Sequence, residues 1–153
     1  MLNPRPPKEL EHEDLRRLYV EAVNLAFTLL DGFGGFAPFA VVQRIDGTVL
    51  PFDTLDVGEP APDARLIEHL TSLLQEEVVA QRVQASAVIF DAEVRPRGLL
   101  EPIDAICVRL EHHAQDPVTC YQTYRRQRKK LINGRVIVVP GLARIFPTKR
   151  PPR

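Results

Sequence analysis

The chain is expected to fold as a single α+β domain in the order helix, two strands, helix, then three or four strands, with a mainly antiparallel sheet and two packed helices. Three observations carry this expectation. Apolar residues recur at helical spacing in two separate stretches. Apolar and polar residues alternate in the segments between and after those stretches, as they do along half-buried strands. Dipeptides that suit tight hairpins join the alternating segments, and hairpin connections make antiparallel neighbours. A length of 153 residues with 44% hydrophobic side chains is enough for one core. The domain is expected over residues 8–146, with residues 1–7 and 147–153 as flexible Pro-rich ends. No run of about 18 apolar residues occurs, so no membrane-spanning helix is expected. Met1–Pro7 lacks an apolar signal region, and a cytoplasmic location is expected.

The first helix is read from about Lys8, with Leu10, Leu15, Leu18, Ala22, Leu25 and Leu29 as its apolar positions. Glu9, Glu11, Glu13 and Asp14 crowd its start, where negative charge meets the positive end of the helix dipole. Asp31-Gly32 is its expected stop. In the following Phe33–Phe39 segment, Phe33, Phe36 and Phe39 are expected to plug the core. Ala40–Ile45 and Thr48–Phe52 read as strands about an Asp46-Gly47 two-residue turn, and Pro51 marks the second as short or at an edge. Glu59-Pro60-Ala61-Pro62 is a rigid connector. A second helix then starts near Pro62-Asp63, with Leu66, Ile67, Leu70, Leu73, Leu74 and Val78 as its stripe. Ser86–Val94 alternates, Arg95-Pro96-Arg97-Gly98 breaks it, and Ile103–His112 is the next strand. There Ile106, Val108 and Leu110 face one way, and Ala105, Cys107, Arg109 and Glu111 the other. Residues 114–117 turn the chain and Val118–Arg126 returns it. Asn133-Gly134 is a further two-residue hairpin signal, with Val136–Val139 as the last strand.

Charge is unevenly placed. Residues 1–116 hold all 20 acidic groups and 10 basic ones, whereas residues 117–153 hold the other 10 basic groups and no acid. The basic segment can pack on the acidic body, meet an acidic partner or, least supported, a membrane surface. Its densest part follows two tyrosines, and Tyr124, Arg125, Arg126, Arg128, Lys129 and Lys130 are the candidate contacts to a partner or to nucleic acid, through phosphate binding and stacking. The competing reading is that cations on an edge strand keep sheets from adding to one another. Asp91, Glu93, Arg109 and Glu111 are candidates for one polar pocket on a sheet face, where paired carboxylates could serve as acid and base. No metal or other cofactor is expected. Glu111-His112-His113 is the tightest metal-competent cluster, yet neighbours on a strand point to opposite faces and Arg109 opposes a cation. Cys107 and Cys120 read as two small semi-buried thiols that a slipped register could bring together. The glycines near residue 34 lack the Gly-Lys-Ser/Thr that a phosphate-cradling loop needs.

Phe36-Ala37-Pro38-Phe39-Ala40-Val41, the Asp46-Gly47 pair and Asp104–His112 (DAICVRLEH) resemble a pattern of small bacterial α+β proteins in which an aromatic-Pro-Phe segment leads a hairpin and a late strand ends in Glu-His. The likeness spans roughly residues 8–124 and brings no catalytic residues; it implies a bacterial protein. The order of elements is also similar to roadblock and profilin-like domains, which implies a binding or dimerisation role, although topology alone does not fix function. The leading expectation is a non-catalytic binding or assembly module that forms a homodimer or pairs with another protein. The alternatives are a small enzyme or ligand binder built on the polar sheet face, and a nucleic-acid binder through residues 125–130.

Overall fold

A computed structural model describes residues 4–52, 61–98 and 100–147. Helix α1 (Glu13–Phe33) begins later than its charge pattern suggests. His12 caps it by accepting the Asp14 N–H on Nδ1, and Leu10, in the turn before it, is already part of the core. The buried stripe is Leu15, Leu18, Tyr19, Ala22, Val23, Ala26, Phe27 and Leu30, the 3.6-residue period followed to the helix end. Leu25 and Leu29 lie at its margin, half-buried. The helix stops at Gly34 rather than Gly32. Gly34 has a φ of 78° and its N–H bonds to the Leu30 carbonyl, the left-handed closure that glycine allows.

Strands β1 (Phe39–Arg44) and β2 (Val49–Pro51) form the expected hairpin with a different turn. Gly47 N–H closes on the Arg44 carbonyl, Asp46 accepts the Thr48 N–H, and only Gly47 has positive φ. The connection is therefore a three-residue type I turn with a glycine bulge, not a two-residue turn with both centres left-handed. The Glu59-Pro60 half of the expected connector lies outside the described residues. Helix α2 (Asp63–Val79) buries Leu70 and Leu74, with Ile67 and Val78 alongside. Strands β3 (Val83–Val94), β4 (Ile103–His112), β5 (Gln115–Gln127) and β6 (Lys130–Pro140) follow as an antiparallel meander.

The sheet order is β2-β1-β3-β4-β5-β6, with every described pair antiparallel. Helix α2 carries the chain from the β2 edge past β1 to β3. The two helices cover opposite faces, α1 packing on Ala85, Ala87, Ile89, Ile106, Val108, Leu110 and Cys120, and α2 on Ala40, Val42, Val83 and Val88. Residues 141–147 form a C-terminal strap that adds Ile145 and Phe146 to the α2 cluster. At the other end of the chain, Pro4 is buried and the Pro7 carbonyl accepts the Leu10 N–H, so this part of the expected flexible lead is packed. No described helix is long and apolar enough to cross a membrane.

Candidate functional site

The four residues proposed for one polar pocket are divided by the sheet. Register pairs Asp91 with Ile106 and Glu93 with Asp104, which puts both acids on the α1 side. Arg109 pairs with Val88 and Glu111 with Ser86, on the α2 side. Asp91 accepts from Tyr124 Oη at 3.0 Å. Burial raises its pKa, the nearby Asp104 adds to this, and the tyrosine opposes it. Arg109 lies 4.8 Å over the Phe90 ring. Glu111 is buried and its Oε1 accepts the backbone N–H groups of Arg144, Ile145 and Phe146 at 3.0, 3.0 and 3.2 Å. Three donors converging on one carboxylate oxygen make an anion nest, so Glu111 is the anchor of the C-terminal strap. The alternation expected along β4 holds. The error lay across strands, because register decides which β3 residues share that face.

The basic run becomes the tip of the β5–β6 hairpin. Its turn is Arg128-Lys129, with φ values of 50° and 68°. Asn133-Gly134, the expected turn, lies inside β6 instead, where Asn133 pairs with Tyr124 beside a register shift. Gly134 serves there as a close-approach residue: a Cβ on it would meet Thr123 Oγ1 at 2.5 Å, and its carbonyl accepts from Gln122 Nε2. Sequence reasoning missed the true turn because it carries neither of the usual turn residues. Tyr124 is buried with its hydroxyl committed to Asp91, so it is no stacking surface; burial and that carboxylate both raise its pKa. Arg126 donates to the Leu30 carbonyl at the end of α1, where a cation complements the helix dipole. Arg125, Arg126, Arg128, Lys129 and Lys130 are all exposed. None makes an ion pair within 4.0 Å among the described residues. Phe36 and Phe39 pack edge to face at 5.5 Å against the α1 core, as expected, whereas Phe33 is 83% exposed.

His112 gathers a cluster that spans the chain. Its Nε2 is 3.0 Å from Asp14 Oδ2 and its Nδ1 accepts the Ala114 N–H. Gln43 Nε2 donates to the other Asp14 oxygen at 2.9 Å. The rings of His12 and His113 lie 4.4 and 4.5 Å from that of His112. His12, Asp14 and His112 thus bring ligand-capable atoms within 4.8 Å of one another. The hydrogen bonds decide what this arrangement does. With Nδ1 accepting, the ring proton of neutral His112 sits on Nε2 and faces Asp14, leaving no lone pair for an ion. The cluster is a clasp joining the start of α1, strand β1 and the β4–β5 turn. Burial lowers the His112 pKa against the Asp14 bond that raises it, with the His12 and His113 charges adding to the lowering. Asp14 is raised by burial, but its bonds from Gln43 and His112 outweigh that and hold it below 3.8. His12 and Asp14 lie far from His112 in sequence, and no local pattern links them.

The two thiols point to opposite faces, since Cys107 pairs with Tyr121 and Cys120 with Val108. Burial pushes them up to about 11 and about 12, so neither is a thiolate near neutral pH.

The two sheet edges differ in kind. Strand β2 has three residues and ends in Pro51, which offers no N–H. Strand β6 has eleven residues, and no strand pairs with its outer side among the described residues. Its central Val136-Ile137-Val138-Val139 run is uncharged, with Val139 37% exposed, and Leu142 just beyond is 67% exposed. Comparisons with protein-family models, with curated proteins and with solved structures found no match for this chain.

Proposed function

We propose that this chain is a non-catalytic assembly module that pairs with a second copy of itself along β6. The observation that carries the reading is the contrast between the edges: β2 has three residues, whereas β6 has eleven and includes the uncharged Val136–Val139 run. An edge strand presents a row of unpaired N–H and C=O groups, a template for another strand. Antiparallel pairing of β6 with β6 of a second copy satisfies both rows at once in a two-fold arrangement. With the two-fold axis at Ile137, Arg135 faces Val139 of the second copy rather than its own charge. A role in the cytoplasm of a bacterium, as one of a group of small α+β proteins whose order of elements is similar to that of roadblock and profilin-like binding and dimerisation modules, belongs to the same proposal.

Sedimentation equilibrium tests it. The wild type is expected at twice its chain mass of 17.3 kDa at micromolar concentration. Ile137→Lys places like charges opposite each other and is expected to be monomeric with an unchanged circular dichroism spectrum. A wild type that is monomeric at every salt concentration, or a dimer indifferent to Ile137→Lys, refutes the proposal.

A further inference from the structure

The His112 clasp joins three elements and leaves its ring no place for a second proton. His112 ends β4, and its side chain is 2% exposed. Its Nδ1 accepts the Ala114 N–H at 3.0 Å, a side chain-to-backbone bond that shapes the His113-Ala114 turn into β5. Its Nε2 donates to Asp14 Oδ2 at 3.0 Å. An imidazolium carries an N–H on both nitrogens and accepts on neither. A backbone N–H cannot become an acceptor, so a proton added at Nδ1 sets two donors face to face. The bond to Asp14 strengthens when the ring is charged, and the ring stays with it. The bond to Ala114 is the one that breaks. His113 N–H is held separately by the Gln84 carbonyl, which places the hinge at His113 and confines the movement to residues 114–117.

Those residues touch the C-terminal strap near both of its ends. The Pro117 carbonyl accepts the Gly141 N–H at 2.9 Å, and the turn shares a cavity of about 110 Å³ with Ala143, Phe146 and Pro147. Phe146 is only 6% exposed there. We infer that the clasp is an acid-released latch on the strap: a second proton on His112 opens the β4–β5 turn, which lets go of Gly141 and uncovers Phe146. The groups that act on this proton come from every element around the ring. Burial opposes the charge most, the Asp14 carboxylate on α1 favours it, and the rings of His12 and His113, 4.4 and 4.5 Å away, oppose it when protonated. Gln43 of β1 and Ala85 of β3, which pairs with His112, are uncharged, and Asp116 lines the same cavity as the ring. Glu111 holds the middle of the strap, so the segment stays tethered while its ends loosen. Because His113 belongs to the turn, its charge leaves the stack as the turn opens, and opening and protonation favour each other. This inference stands without the β6 dimer.

Nuclear magnetic resonance on the isotope-labelled full chain, titrated from pH 7.5 to 5.0, tests it. Imidazole spectra at pH 7.5 are expected to show His112 with its one ring proton on Nε2. On acidification, the amide signals of Ala114, Gln115, Gly141 and Phe146 should move with a single midpoint, that of the His112 ring, below 6.5. Those of Leu18–Leu30 in α1 and Ile106–Leu110 in β4 should keep their positions. His112→Asn puts a carbonyl oxygen near the place of Nδ1, so the Ala114 N–H keeps an acceptor that has no proton to gain. Its turn and strap signals are expected to stay fixed down to pH 5.0. His113→Asn, at an exposed site, removes one opposing charge and is expected to raise the His112 midpoint by about 0.5. A His112 proton on Nδ1 at pH 7.5, turn and strap signals that ignore the His112 midpoint, or the same transition in His112→Asn overturns the inference. A transition shared by the α1 amides is unfolding of the whole domain and overturns it as well. Should His112→Asn not fold, an unmoved midpoint in His113→Asn overturns it instead.

Discussion

Removing the Glu111 carboxylate should release the C-terminal strap. In Glu111→Ala, the N–H groups of Arg144, Ile145 and Phe146 lose their common acceptor, and the last two lie where water is excluded. A hydrogen bond to a charged group contributes about 1.5–3 kcal/mol. Three such bonds exceed what keeps the strap docked without them, which is mainly burial of the Ile145 and Phe146 side chains at about 1.5–3 kcal/mol each. The strap should therefore detach rather than stay in place with three unpaired donors. The loss is then the whole docking free energy of the wild-type strap, the two side-chain burials plus the three bonds less the entropy of ordering the segment, about 3–6 kcal/mol. Glu111→Gln retains a carbonyl oxygen that can accept two of the three donors, and should cost about 1–2 kcal/mol. Urea unfolding gives the stability order, and trypsin cleavage after Arg144 reports the strap directly. Cleavage should be fastest in the Ala variant and intermediate in the Gln variant. An Ala variant within about 1 kcal/mol of wild type, cleaved no faster after Arg144, would refute the anchoring role.

Three further outcomes are expected. Tyr19→Phe removes the hydroxyl that donates to Gln122 Oε1 at 2.7 Å, leaving that oxygen buried without a donor, and should cost about 1–2 kcal/mol in urea unfolding. Arg128→Asn with Lys129→Gly should raise stability by about 1–2 kcal/mol by removing left-handed strain; a loss would mean the cations stabilise the hairpin themselves. Lowering pH from 7 to 5 should lower the urea midpoint. Folded His112 titrates below 6.5, so in this window the unfolded chain binds more protons than the folded one and stability rises with pH. Asp14 acts in the same sense but only below 3.8, where its stabilising contribution is lost. His112→Gln should flatten the fall between pH 7 and 5, and an equally steep fall in that variant would assign it to other groups.

Periodicity alone was enough to identify both helices, the alternating strands and the antiparallel sheet, because each element must present one face to a core and the spacing of leucines, valines and isoleucines records that face. The sequence also marked β2 as an edge, since proline has no N–H to give. The positions of turns were less legible. Asn133-Gly134 has the composition of a hairpin turn, yet register placed Arg128-Lys129 there and left Gly134 against Thr123. Turn propensity is worth little beside the pairing of two long strands, which shifts the turn to wherever cross-strand contacts are best satisfied. Asp91 and Glu93 separate from Arg109 and Glu111 for the same reason, as alternation fixes faces within one strand while register fixes them between strands. The His12–Asp14–His112 clasp and the Glu111 nest were illegible because their partners meet only after the sheet has formed. Local sequence thus determined which residues face a core, and the tertiary structure decided which polar groups meet, since hydrogen bonds reach only about 3 Å and chain neighbours rarely supply both ends.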